Sequence, residues 1–213
     1  MSLTGDEAVN VHHLHRWDVS PAEAITIQND LRARVIQTPA PETVRTVAGV
    51  DVGVRDNMAR AAVVVLRYPE LTLLEKAIVD MPVAFPYVPG LLAFREAPAV
   101  LSAFEKLDCI PDLIIVDGQG LAHPRRFGLA CHIGVVLERP TIGCAKSRLV
   151  GTHEDLGITA GSWVELRDSQ EVIGAVVRGK EGASPLYVSI GHKIDLATAV
   201  QYVLGCCRGY RLP

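Results

Sequence analysis

The sequence predicts one mixed α/β domain, with an antiparallel meander leading into parallel strands and helices flanking the sheet. Three observations predict it. Strand-like runs over Thr46–Arg55, Ala59–Arg67 and Leu71–Met81 follow one another across short polar connections, Asp56-Asn57 and Tyr68-Pro69-Glu70. Connections that short join antiparallel neighbours. Beyond them, apolar strands alternate with helical stretches, the pattern of parallel strands under covering helices. Finally, the chain has 213 residues, 49% hydrophobic and only 5% aromatic, enough for one core built from Val, Leu, Ile and Ala. Such side chains suit buried strands.

Each element has a local reason. In Ser20-Pro21-Ala22-Glu23, Ser20 can cap a helix, Pro21 fits its first position and Glu23 completes a capping box. The stretch AEAITIQNDLRARVI then carries apolar residues at helical spacing and stops before Thr38-Pro39; it is expected to pack and to have no chemistry of its own. After the meander, Pro86 and Pro89 stiffen the loop FPYVPGLLAFRE around Tyr87. A helix follows over Phe94–Leu107, with Pro98 expected near its start, where a missing N–H is tolerable. PDLIIVDG is a continuous apolar strand, expected to be buried on both faces, ending in Asp117-Gly118. Gly128–Glu138 reads as a helix, Pro140–Ser147 as a strand, GSWVELRD and EVIGAVVRG as a hairpin, and PLYVSIGHK as a strand. DLATAVQYVLGCC is the last helix, with Asp195 at its cap.

Composition excludes several classes. A net charge of -3 argues against a strongly basic nucleic-acid coat, though not against a local basic groove. The five cysteines show no ligand spacing, and the adjacent Cys206-Cys207 suit neither an ordinary disulfide nor a zinc knuckle. A reducing, cytoplasmic setting is expected. No apolar run reaches the roughly 18 residues that span a bilayer, and the first residues lack a secretory signal. Residues 1–19, with His12, His13 and His15, read as a flexible solvated leader, and 20–213 as a single domain.

Asp51 sits mid-strand in VAGVDVGV, where a carboxylate is costly unless compensated, hydrogen-bonded or facing solvent. Asp117 ends a buried strand, at the carboxyl edge where α/β sheets place ligands. Two carboxylates on adjacent strands repel unless a cation lies between them, and Glu96 offers a third. Three hard oxygen donors suit Mg²⁺ or Mn²⁺ and point to phosphoryl chemistry. His123, beside Pro124, could orient water, contact phosphate or act as acid/base. Arg125 and Arg126 are either phosphate contacts or a solvated loop. His132 is expected to pack with a satisfied ring. Lys146, at a strand end, is either a phosphate-holding charge or an edge lysine. His192, before the last helix, either faces the same site or does not.

The segments VAGVDVGV, PYVPGLLAFRE, VDGQGLAHPRRFGLACHIGVVL, PTIGCAKSRLVG and PLYVSIGHKIDLATA, in this order from Val47 to Ala199, resemble the endonuclease V family of deoxyinosine 3′-endonucleases. The resemblance implies an RNase H-like fold and deoxyinosine-containing DNA as the substrate, with inosine-containing RNA an open alternative. It implies hydrolysis of the second phosphodiester bond 3′ to the deaminated adenine, leaving a 3′-hydroxyl and a 5′-phosphate. The metal carboxylates would be Asp51, Glu96 and Asp117, holding Mg²⁺ or Mn²⁺. His123 would lie beside the metal and attacked phosphate, Lys146 would support the reaction, and His192 would be a further neighbour. Tyr87, poised by Pro86 and Pro89, would be a wedge at the lesion. Gly90 and Leu92, with Gly118, Gly128 and Leu129, would line the hypoxanthine pocket. Cys131 stands where the family commonly has serine, and Ile190 where it commonly has proline. A monomer is expected, with no membrane partner.

Two other classes are open to the residues. An actin-like phosphotransferase also uses Gly-Val-Asp-Val-Gly, but needs two such domains around a nucleotide. A non-catalytic reader of damaged nucleic acid has no need of three metal-binding carboxylates.

Overall fold

The computed structural model describes residues 10–38 and 43–213. Its eight strands form one sheet, in the order β3-β2-β1-β4-β5-β8-β7-β6. The meander is β1 (Thr46–Arg55), β2 (Met58–Arg67) and β3 (Thr72–Pro82), paired antiparallel. β4 (Leu113–Val116) and β5 (Thr141–Ala145) extend it in parallel with β1. β6 (Trp163–Asp168), β7 (Glu171–Val177) and β8 (Leu186–His192) complete the far side, antiparallel throughout. The fold class is therefore the mixed α/β sheet that the apolar pattern predicts. β4 and β5 are buried along their whole length, as continuous apolar strands should be.

Alternation along β1 divides the core. Ala48 and Val50 pack with α2 (Ala93–Phe104), while Val47 faces the opposite cluster with α4 (Leu196–Cys206). α1 (Pro21–Leu31) starts with the expected capping box, and Asp195 caps α4 through the Thr198 N–H. Pro98 lies past the first turn of α2, later than expected, so the Phe94 carbonyl has no N–H of residue 98 to accept.

α3 (Leu129–Leu137) is buried at every residue. A helix apolar all round needs cover on more than one side, and the leader provides it. Val11, Leu14 and Trp17 pack against the core, and the His12 N–H donates to the Val136 carbonyl at 3.0 Å. His15 Nε2 lies 2.6 Å from His132 Nε2, with Trp17 and Phe94 against the rings. The leader expected to be solvated through residue 19 instead packs against the core at Val11, Leu14 and Trp17; residues 1–9 lie outside the described residues. His132 is satisfied on one nitrogen only, its Nδ1 being buried without a partner among the described residues.

Candidate active site

Strand register places the acidic cluster. Val50 of β1 lies opposite Val116 of β4, which lies opposite Gly143 of β5. The residues just beyond these pairs therefore emerge together at the carboxyl edge of the parallel strands. The Asp117 N–H donates to the Val50 carbonyl at 2.9 Å, which holds Asp117 beside Asp51. Asp51 escapes the cost of its apolar strand because its side chain is 69% exposed. Lys146 Nζ bonds the Asp117 carboxylate and lies 3.9 Å from Asp51 Oδ1.

Glu96 approaches from the first turn of α2 and is buried. Burial, then the charges of Asp117 and Asp51, push its carboxyl up to about 7. Burial also raises Asp117, against the hydrogen bond from Lys146, and that same bond raises the Lys146 ammonium. Mutual repulsion of this kind is what a divalent cation relieves, and the donors are the hard oxygens such an ion takes. Among the described residues, no three His, Cys, Asp or Glu side chains converge closely enough, as they stand, to hold an ion. The Lys146 ammonium is the cation at Asp117 in this arrangement.

Glu96 and Asp117 open on a cleft of about 410 Å³. Tyr87, Pro89, Gly90 and Leu92 form one wall, and Gly118, Gly128 and Leu129 the other. Pro86 flanks this wall from outside the lining. Tyr87 is 73% exposed, with the Arg95 guanidinium 5.8 Å from its ring centroid. Arg95 also donates to the Phe85 carbonyl at 3.0 Å, so it braces the loop. Gly128 is needed for close approach, since a methyl there would overlap the Gln119 carbonyl. The N–H groups of Gly120, Leu121 and Gly128 are already bonded, to Ser189 Oγ, the Ile190 carbonyl and the Gly120 carbonyl respectively. These three amides are therefore not free to read a base.

Three expectations change with the geometry. His123 lines the cleft, but its Nδ1 accepts from the Arg125 N–H at 3.2 Å and its Nε2 donates to the Gly90 carbonyl at 3.0 Å. Burial and then the Arg125 charge lower its pKa to about 4. In this arrangement both nitrogens are engaged by the protein, and the ring braces the loop at Gly90. Arg125 directs Nε to Gln28 Oε1 and Nη2 to the Gly90 carbonyl, and Arg126 pairs with Asp168 and Glu171; neither side chain stands free for phosphate. His192 is not at the site. β8 runs antiparallel to β5, so His192 pairs with Thr141 at the start of β5, whereas the site lies at its end. The His192 Nδ1 instead accepts from the Ile36 N–H at 3.3 Å, and its Nε2 lies 4.0 Å from Glu138.

Two glutamines escape the sequence reading. Gln119 ties the loop after β4 to the Ser147 carbonyl at 2.9 Å. Gln28 is 1% exposed on α1, a helix expected to carry no chemistry. Its signal was its spacing, since Ala24, Gln28 and Leu31 share the buried face.

The sheet order, its flanking helices and the carboxylates at the strand ends define an RNase H-like α/β protein. The sequence profile of the Endonuclease V family matches residues 29–213. An endonuclease V from Roseiflexus castenholzii is 52% identical over 199 residues, covering 93% of this chain and 90% of that protein. The crystal structure of the Streptomyces avermitilis endonuclease V superposes with a TM-score of 0.88 at 42% identity, covering 97% of this chain and 92% of that one. Ciona intestinalis endonuclease V, in complex with a 24mer DNA containing an inosine followed by a ribo-adenosine, superposes at 0.79 with 29% identity, covering 90% and 91%. This chain belongs to the endonuclease V family. Among the described residues no helix is long and apolar enough to cross a membrane.

Proposed function

We propose that the chain cleaves DNA at the second phosphodiester bond 3′ to a deoxyinosine, leaving a 3′-hydroxyl and a 5′-phosphate. The observation that carries this reading is a single one: Glu96 and Asp117, with the Asp51 charge acting on Glu96 beside them, open on the cleft whose wall bears an exposed, proline-flanked tyrosine. The inosine-containing DNA held by the Ciona relative supports the choice of lesion.

Asp51, Glu96 and Asp117 would hold Mg²⁺, or Mn²⁺ in its place. Such an ion supplies charge neutralisation at the attacked phosphate and a more acidic water. The chain's own groups do the rest. Lys146, already at the carboxylates, offers its ammonium to a phosphate oxygen. Tyr87 enters the gap left by the extruded base, at small entropic cost because Pro86 and Pro89 restrict the loop. Gly118, Gly128 and Leu129 receive the base. His123 holds the loop through Gly90.

The test is a labelled duplex with and without one deoxyinosine, incubated with Mg²⁺ or chelator, and the cut mapped. Cutting that depends on both places the reading on firm ground; indifference to inosine and to the cation overturns it. A second reading, an inosine-specific ribonuclease, is favoured by the ribo-adenosine that follows inosine in the Ciona complex. Faster cutting of an inosine-containing RNA strand than of the DNA duplex would select it.

A further inference from the structure

We infer that Gln28 is a positioning residue that locks the Tyr87 loop to the floor of the base cleft, an inference that rests on the reading just given. Its orientation follows from its partners. Carbonyl oxygens only accept and a guanidinium only donates. The Gln28 Nε2 group donates to the Gly90 carbonyl at 3.0 Å and the Phe127 carbonyl at 3.2 Å, while Oε1 accepts from Arg125 Nε at 2.5 Å. One side chain thus ties the tyrosine loop, through Gly90, to Phe127, the residue before the close-packed Gly128.

The Gly90 carbonyl is the hub of this tie. It accepts from Gln28, from His123 at 3.0 Å and from Arg125 Nη2 at 2.6 Å. Gly90 itself has φ +79°, and a methyl there would lie 2.7 Å from Arg125 Nη2. Its left-handed backbone and its lack of a side chain are both required to aim the carbonyl at three donors. Gln28 does not read the base, because its amide groups are spent on protein partners. It acts on the substrate only by fixing where Tyr87 and Gly128 stand.

The test uses Gln28→Met, which keeps length and loses every hydrogen bond, and Gln28→Glu, which keeps the acceptor for Arg125 and loses the donors. Kinetics are read on a duplex with one deoxyinosine. Gln28→Met should raise KM about tenfold with kcat within about threefold, the scale of one or two lost hydrogen bonds. In a Tyr87→Ala background the same change should have little further effect, because both act through one loop. Unchanged KM, or an effect fully additive with Tyr87→Ala, overturns the inference. Amide exchange over residues 86–92 should quicken in Gln28→Met while α4 is unchanged, and this readout needs no cleavage at all. Unchanged exchange there also overturns it. If Gln28→Met shows no cooperative melting, Gln28→Glu carries the same measurements with the same expected directions. A wild-type chain that leaves inosine duplexes uncut refutes the proposed function instead, and the exchange result still decides the role of Gln28.

Discussion

Glu96→Gln should stabilise the metal-free protein above neutral pH. The Glu96 carboxyl titrates at about 7 in the folded chain, in place of 4.5, because it is buried and faces Asp117 and Asp51. A raised folded pKa means that the native state binds the proton more tightly than the unfolded chain. The stability it contributes is fully present below pH 4.5 and is lost as pH rises through about 7. At 1.36 kcal/mol for each pKa unit, the loss is about 3 kcal/mol by pH 8. Glu96→Gln keeps the size and removes the charge. In chelator, urea unfolding should give similar stabilities for both proteins near pH 4.5, and a variant more stable by about 3 kcal/mol at pH 8. Asp117, raised in the same direction, adds to the slope of both proteins. The variant should lose cation-dependent cleavage although it is the more stable, since the crowded charge belongs to the site rather than to the fold. Parallel stability curves for the two proteins from pH 5 to 8 would refute the reasoning.

Further outcomes follow from the same geometry. Because an ion bound at Glu96 must displace its proton, the Mg²⁺ concentration for half-maximal cleavage should fall about tenfold between pH 6 and 8; a pH-independent midpoint contradicts this. Tyr87→Ala should raise KM for an inosine duplex about tenfold or more, the worth of one stacked base, with the Mg²⁺ midpoint unmoved. Gly128→Ala should destabilise the chain by about 2 kcal/mol or more, seen in thermal melts, because the new methyl meets the Gln119 carbonyl. His192→Ala should cost about 1–3 kcal/mol by leaving the Ile36 N–H unpaired, with kcat within about threefold; a kcat collapse at full stability would return His192 to the site.

Much of the molecule is legible from local chemistry. Every strand and helix read from periodicity is present, because alternation in Val47–Val54, the unbroken apolar run Leu113–Val116 and the capping residues Ser20 and Asp195 act over a few residues. Asp51 and Asp117 could be placed together by reasoning that adjacent strands end at one edge, and Glu96 by its position after a stiff loop. The resemblance carried by the long motifs named the family, to which the profile match and the 52% identical relative then assign the chain.

What residue order alone leaves open is the direction in which each polar side chain spends its hydrogen bonds. The antiparallel return of β8 carries His192 to the opposite end of the sheet, although its motif lies as close in sequence to the site as any other late segment. Arg125 and His123 look like phosphate ligands in HPRR until Gly90 and Gln28 arrive from distant parts of the chain to engage them. The leader reads as polar and free until α3, buried at every residue, demands cover. Periodicity and capping are short-range, so the sequence by itself determined the elements and their order, and offered Asp51, Glu96 and Asp117 as candidates. Partner choice depends on which atoms meet across dozens of residues, and only the tertiary structure decided it.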